Sequence, residues 1–195
     1  MNRQLSYLLF LLIIGCNCLD ANASDNDETN QLKLNESKYD IISFADEKVK
    51  AICIAHWDFN GDGELSYVEA ARVNELGDVF QGNTDITSFD ELDCLTGLSR
   101  LGDYAFKNCS SLHSVFIPNS VTRIEFNAFE GCKSIRAIHS AIMTINNIFI
   151  DHSSFDSINI DECILYIPSG TRWAYRHHHL FGKFRNIEIE AKKKE

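Results

Sequence analysis

Apolar residues recur along this chain at two spacings, and the change comes near residue 98. Val49, Ile52, Cys53 and Trp57 return at the period of an amphipathic helix. Val68 to Leu76 is rich in Ala, Glu and Val and predicts a second helix, with Gly77 as its stop. From Leu98 the chain repeats with a period of 23, in the range of units that stack into a solenoid. Leu101, Ala105, Phe106, Cys109, Ser111, Leu112 and Val115 line up with Ile124, Ala128, Phe129, Cys132, Ser134, Ile135 and Ile138. Leu98 matches Val121 in the same way. A third coil is stretched: Phe155 stands for Phe129, Leu165 for Ile138, and Ile167-Pro168 for Ile117-Pro118. Such units cannot bury their apolar faces alone, and about three are needed for stability. In each coil Leu112-x-x-Val115-x-Ile117 has the spacing of a short strand. Alternation sends Val115 and Ile117 inward and Ser114 and Phe116 outward. Beyond Pro168, Trp173, Tyr175, Leu180, Phe181, Phe184 and Ile187 are expected to cover the open end of the stack.

Between the two predicted helices, Asp58 to Glu69 reads D-F-N-G-D-G-E-L-S-Y-V-E and fits the EF-hand calcium loop. Asp58, Asn60 and Asp62 offer side-chain oxygens at loop positions 1, 3 and 5. Gly63 stands at position 6, where the chain turns through positive φ. Glu64 offers its backbone carbonyl, Leu65 anchors the loop to a core, Ser66 works through a water, and Glu69 closes the shell with two oxygens. Calcium is a hard ion that takes six to eight oxygens, and this spacing supplies them from one segment. A solvated acidic turn would need neither Gly63 nor Glu69 at their places. One calcium site is expected. Ile86 to Asp90 resembles the back half of a second loop, but Val79 and Gln81 fall where acidic ligands belong. That stretch is therefore read as structural, at most a remnant pairing partner.

The first residues predict export. Arg3 is followed by an apolar run from Leu5 to Ile14 and then Gly15-Cys16. About ten apolar residues are too few to span a bilayer and suit a signal peptide. Ile13-Ile14-Gly15-Cys16 resembles the bacterial lipobox, which implies lipidation of Cys16. A competing site, Ala21-Asn22-Ala23, would release a soluble secreted form after Ala23. The polar, acidic stretch after Cys16 reads as a tether, and acidic residues there go with surface display by analogy.

Composition narrows the partners. A net charge of −10 argues against nucleic acid and against an anionic membrane surface. Thirteen Phe with only two Pro point to a filled interior. Of the seven cysteines, Cys16 and Cys18 precede the folded part. The rest form no C-x-x-C pair, so neither zinc nor thioredoxin-like chemistry is indicated. Cys109 and Cys132 share one repeat position and are expected to stack as buried thiols, with a disulfide as the alternative. No nucleophile elbow, zincin motif or phosphate loop is present, so no enzyme is expected. His177-His178-His179 reads as an exposed loop of the cap, and His56 as a packing residue.

The repeats resemble the BspA-like leucine-rich repeat family of bacterial surface proteins. The residues that carry the resemblance are Ala-Phe-x-x-Cys-x-Ser-Leu at 105–112, Val-x-Ile-Pro-Asn-Ser-Val at 115–121, and Cys163-Ile-Leu-Tyr-Ile-Pro-Ser-Gly-Thr171 with Ala174-Tyr175-Arg176. It covers about residues 98–190 and weakens where His139-Ser140 replaces the expected apolar residue and Pro. It implies surface display and binding of host or bacterial surface proteins or glycans, without a fixed ligand or catalysis. The expected architecture is α+β: a signal peptide at 1–15, a tether at 16–40, an EF-hand-like helical module at 41–97, a β-rich leucine-rich solenoid at 98–168, and a cap and tail at 169–195. The expected role is calcium-stabilised binding at the cell surface, with membrane attachment through the lipid alone. Its rivals are a calcium sensor or buffer, and a non-catalytic subunit of a surface enzyme or glycan-uptake complex. Contact is expected at Phe116, His139 and Tyr166, which hold one outward position in three successive coils.

Overall fold

Helix α1, Glu47–Trp57, starts where Asp46 can cap it: the Asp46 carboxylate accepts from the backbone N–H of Lys48 and Val49. It buries Val49, Cys53 and Trp57 on one face, as the spacing predicts. The structure is a computed structural model. It describes residues 41–191, which lie in a unit spanning Ser37–Glu195. The segments read as signal peptide and tether, with Cys16 and Ala23, lie outside the described residues.

The predicted second helix is cut to one turn, α2, Tyr67–Ala70. The chain leaves it because Val73 and Leu76 are needed in the core, at 4% and 2% exposure. Glu75 then pairs as a parallel bridge with Arg100. Gly97 lies against this departure. A Cβ there would fall 2.3 Å from the Ala71 carbonyl oxygen, so only glycine lets the two backbones pass.

Eight short strands follow: β1 Ser88–Phe89, β2 Arg100–Leu101, β3 Ser114–Ile117, β4 Arg123–Ile124, β5 Ala137–Ser140, β6 Phe149–Ile150, β7 Ile164–Ile167 and β8 Asn186–Ile189. A short helix α3, Arg172–His177, lies between β7 and β8. The strands build two parallel sheets, ordered β1-β3-β5-β7-β8 and β2-β4-β6. The 23-residue period appears as register: Arg100 faces Arg123 and Ser114 faces Ala137. It appears in the backbone too. Tyr104 and Asn127, one period apart, share a positive φ of 61° and 52°, and Asn108 and Gly131 do the same at 62° and 78°.

The solenoid extends beyond 98–168 at both ends. Ser88–Phe89, inside the stretch read as a remnant loop, is the first rung of the larger sheet and pairs with β3. At the other end β8, expected as cap, adds a fifth rung beside β7. Within β5 one inward position departs from the apolar pattern of the repeat. His139 stands opposite Phe116, so only Ser140 fills an apolar position, opposite Ile117. That buried hydroxyl is satisfied by the Tyr175 hydroxyl at 2.6 Å, and Tyr175 also donates to the Ile142 carbonyl at 2.9 Å. The cap helix thus reaches into the coil to satisfy the one polar residue there.

A file of phenylalanines runs through the interior. Phe80, Phe106, Phe129, Phe155 and Phe181 stand with successive ring centroids 5.5, 5.4, 5.7 and 5.5 Å apart. Cys109 and Cys132 line this file as free thiols, donating to the carbonyls of Phe80 and Phe106 at 3.0 and 2.9 Å. The neighbouring Cys109 thiol, together with burial, pushes the Cys132 thiol far above its ordinary pKa. Of the expected cap residues, Tyr175, Leu180, Phe181, Phe184 and Ile187 are buried, but Trp173 is 70% exposed. It lies on the outer side of α3, stacked on His177 one turn later at 4.3 Å.

Candidate functional site

The acidic loop is held by its own side chains. Gly61 and Gly63 take positive φ, 73° and 82°. The two oxygens of Asp58 accept from the backbone N–H of Gly61, Asp62 and Gly63. Asn60 Oδ1 accepts from Asp62 N–H, and Asp62 Oδ1 from Glu64 N–H. Each short acid or amide therefore curls the chain around itself, which leaves several oxygens in one small turn. Glu64 pairs with Lys50 at 2.8 Å.

Glu69 is 5% exposed and points into the turn. Its Oε1 accepts from the backbone N–H of Phe59 and Asn60, and its Oε2 from the N–H and hydroxyl of Ser66. Ser66 returns a bond to Glu69 N–H, which completes a capping box on α2. The carboxylate is thus spent on hydrogen bonds. Among the described residues no three His, Cys, Asp or Glu side chains converge as a metal cluster. The six predicted residues are gathered in one loop, and its donor set is all oxygen, which suits a hard cation. An ion would have to take Glu69 from its N–H partners.

The loop is tied to the rest of the fold at three points. Leu65, fully buried, gives its carbonyl to Ile42 N–H at 2.9 Å, so the pairing partner of the loop is Ile41–Ile42 and not the 86–90 stretch. Trp57, just before the loop, lies 6.1 Å from Phe80, the first ring of the interior file. Asp46 Oδ2 accepts from the Thr87 N–H at 2.6 Å, the Thr87 hydroxyl at 2.8 Å and Ser88 N–H. Burial alone would raise its pKa. The Thr87, Lys48 and Val49 bonds outweigh that and hold it below the usual carboxylate value. The helix cap is thus also a clamp on β1. An Asp before Glu-Lys-Val is a legible capping signal, but its second role crosses 41 residues and leaves no local trace. His56, expected to pack, is exposed in the last turn of α1.

The outer strand face has the predicted alternation. Inward residues of β3, β5 and β7 are buried and outward ones are half-buried. The Phe116 and His139 rings stack at 6.3 Å and 5°, and His139 and Tyr166 at 4.6 Å and 9°. Glu190, which sequence reasoning missed, bonds His139 Nδ1 through Oε2 at 2.7 Å from 51 residues away. Register puts Glu188 next in the row after Tyr166.

The cap histidines do not act together. His177 and His179 are exposed, and His178 is half-buried with Nδ1 accepting from the N–H of Leu180 and Phe181. Burial, with His179 beside it, pushes His178 down to about 4. No helix among the described residues is long and apolar enough to cross a membrane.

A family model described as BspA type leucine rich repeat region, in six copies, matches residues 74–174, just over half of the 195-residue chain. Neither a curated protein nor a solved structure gives a match. The matched span begins at the departure from α2 and takes in β1, in agreement with where the strands begin to stack.

Proposed function

The chain belongs to the BspA-type leucine-rich repeat family, and from that premise we propose that it is a binding protein of the cell surface, whose solenoid presents a partner site and whose N-terminal loop holds one calcium ion. The observation that carries the partner site is the ring column Phe116, His139 and Tyr166, stacked on the outer face of three successive coils. Aligned rings on rigid strands offer contact area at little entropic cost. The partners are surface proteins or glycans, and the role is binding rather than catalysis.

The loop is of the EF-hand type in this reading. Asp58, Asn60, Asp62 and Glu69 hold calcium by side chains, Glu64 by its carbonyl and Ser66 through a water. The Asp58 turn supports this, because its hydrogen bonds already fold the segment around the acidic oxygens. The ion acts as a clasp. Leu65, Trp57 and Asp46 carry its ordering effect to Ile42, Phe80 and β1. A lipid on Cys16 attaches the protein to the membrane. Cys16→Ala should yield an unprocessed or soluble form, whereas a mature N-terminus at Ser24 would establish cleavage after Ala23.

The test of the partner site is a screen of the full protein against glycans, matrix proteins and neighbouring membrane proteins, repeated with a Phe116→Ser, His139→Ser, Tyr166→Ser variant. Loss of binding by a folded variant is the expected result. Equal binding would remove the column from consideration.

A further inference from the structure

We infer that the outer column is built to take a cationic side chain of a protein partner, an arginine above all, at the end formed by Tyr166 and Glu188. This rests on the strand-face reading and names the chemistry of that same site. The column has a limited set of free surfaces. Phe116, His139 and Tyr166 lie within 9° of parallel, so their facing surfaces are used against one another. A sugar ring needs an open aromatic face to lie on. Within the column only the two end faces and the ring edges remain.

The two ends differ. Beyond Phe116 the neighbouring chain is β1 and the Asp90 that follows it, and Asp90 already accepts from the Ser114 hydroxyl at 2.8 Å. Beyond Tyr166 comes Glu188, directly opposite it in register. Glu188 is exposed and has no ion-pair or hydrogen-bond partner among the described residues. Glu190, one outward position further, is engaged with His139. No Lys or Arg holds an outward position on β3, β5, β7 or β8, and Arg172 of α3 gives its Nη1 to the Ile187 carbonyl at 2.9 Å. The column therefore ends in the Tyr166 ring with Glu188 in the next place, a carboxylate with no ion-pair partner among the described residues. A guanidinium is planar, weakly hydrated and able to lie against the Tyr166 ring while it pairs with the carboxylate. A neutral glycan can lie against the same ring and donate hydroxyls to the carboxylate, but it leaves the negative charge unmatched. The net charge of −10 favours the same sign of partner over the whole chain.

The probe is N-acetyl-L-arginine methylamide, titrated into the full chain while the tyrosine ring signals are followed by NMR. The norleucine analogue is the neutral control. A saturable shift centred on Tyr166, absent with norleucine, is expected. Glu188→Gln should weaken it about tenfold, as loss of a charge-assisted contact does. Asp78→Asn, an exposed acid far along the chain, should leave it unchanged. Shifts spread over Tyr67, Tyr104 and Tyr166 alike, or equal weakening by Asp78→Asn, would overturn the site in favour of diffuse attraction. The two readings fail separately. If a partner from the screen loses binding in the ring variant but binds Glu188→Gln as well as wild type, the strand face stands and the cation site falls. If arginine binds at Tyr166 while the ring variant keeps its partner, the cation contact serves no partner and both readings fall.

Discussion

Two stacks of rings run along this solenoid, and they share a geometry while differing in everything it is used for. The inner file, Phe80 to Phe181, holds buried rings 5.4 to 5.7 Å apart. The outer column, Phe116 to Tyr166, holds rings 4.6 and 6.3 Å apart at the surface. Both arise because a repeat brings equivalent positions into register. Repetition therefore aligns side chains on every face, and burial decides whether an aligned row stabilises the fold or stays available to a partner.

The sharpest break of the comparison is Phe129→Ala, at the centre of the inner file. It should cost about 3–5 kcal/mol, because the coils above and below cannot close the gap. Denaturant unfolding measures it, and a cost near zero would mean the file is not a packed unit.

Next in size is the clasp at the end of the inner file. With calcium at 100 times its dissociation constant, stability should rise by about 2.7 kcal/mol. Glu69→Gln should remove most of that gain. Glutamine can close the capping box on α2 with its one oxygen but cannot also accept from Phe59 and Asn60 N–H, so the variant is compared with itself in calcium and in chelator. Calorimetry in calcium and in chelator checks this, and identical melting of the wild type in both would sink the clasp.

Tyr175→Phe comes third. It strips the buried Ser140 hydroxyl of its acceptor, leaving it only the Ile142 N–H, and should cost about 1–3 kcal/mol. Adding Ser140→Val, which restores the apolar residue of the repeat, should recover part of the loss. A double-mutant cycle by denaturant titration reads the coupling.

A smaller effect is set by pH. His178 is held down to about 4 in the folded chain against 6.5 when free. Between these values the unfolded chain binds the proton and the folded chain does not. The contribution is therefore full above 6.5 and lost as pH falls towards 4. The melting temperature should drop over that window, and His178→Asn should flatten the drop. Equal pH profiles for the two proteins would contradict it.

Much of the solenoid was legible in the sequence, because a period of 23 with fixed Ala, Phe, Cys and Ser positions dictates both register and burial. The ring column followed from the same period. What could not be read lay where the repeat is broken or overlaps another motif. Ser88–Phe89 carries too short an apolar signature to announce a strand. The exit helix has good helical composition from Val68 to Leu76, yet burial of Val73 and Leu76 overrides it after one turn. Trp173 looks like core by type and stands on the outer face of a short helix. The loop positions themselves were readable one by one. The partnership of Leu65 with Ile42, and of Asp46 with Thr87, comes only from the tertiary fold.

In the proposed reading the outer column serves recognition and the inner file serves stability. The most direct measurement takes both properties from one sample of the Phe116→Ser, His139→Ser, Tyr166→Ser variant: its unfolding free energy and its affinity for a partner found with the wild-type protein. The expected result is a stability within about 2 kcal/mol of wild type, as half-exposed cross-strand pairs allow, together with loss of binding. A variant that unfolds as readily as Phe129→Ala, or that binds as tightly as wild type, would contradict the claim.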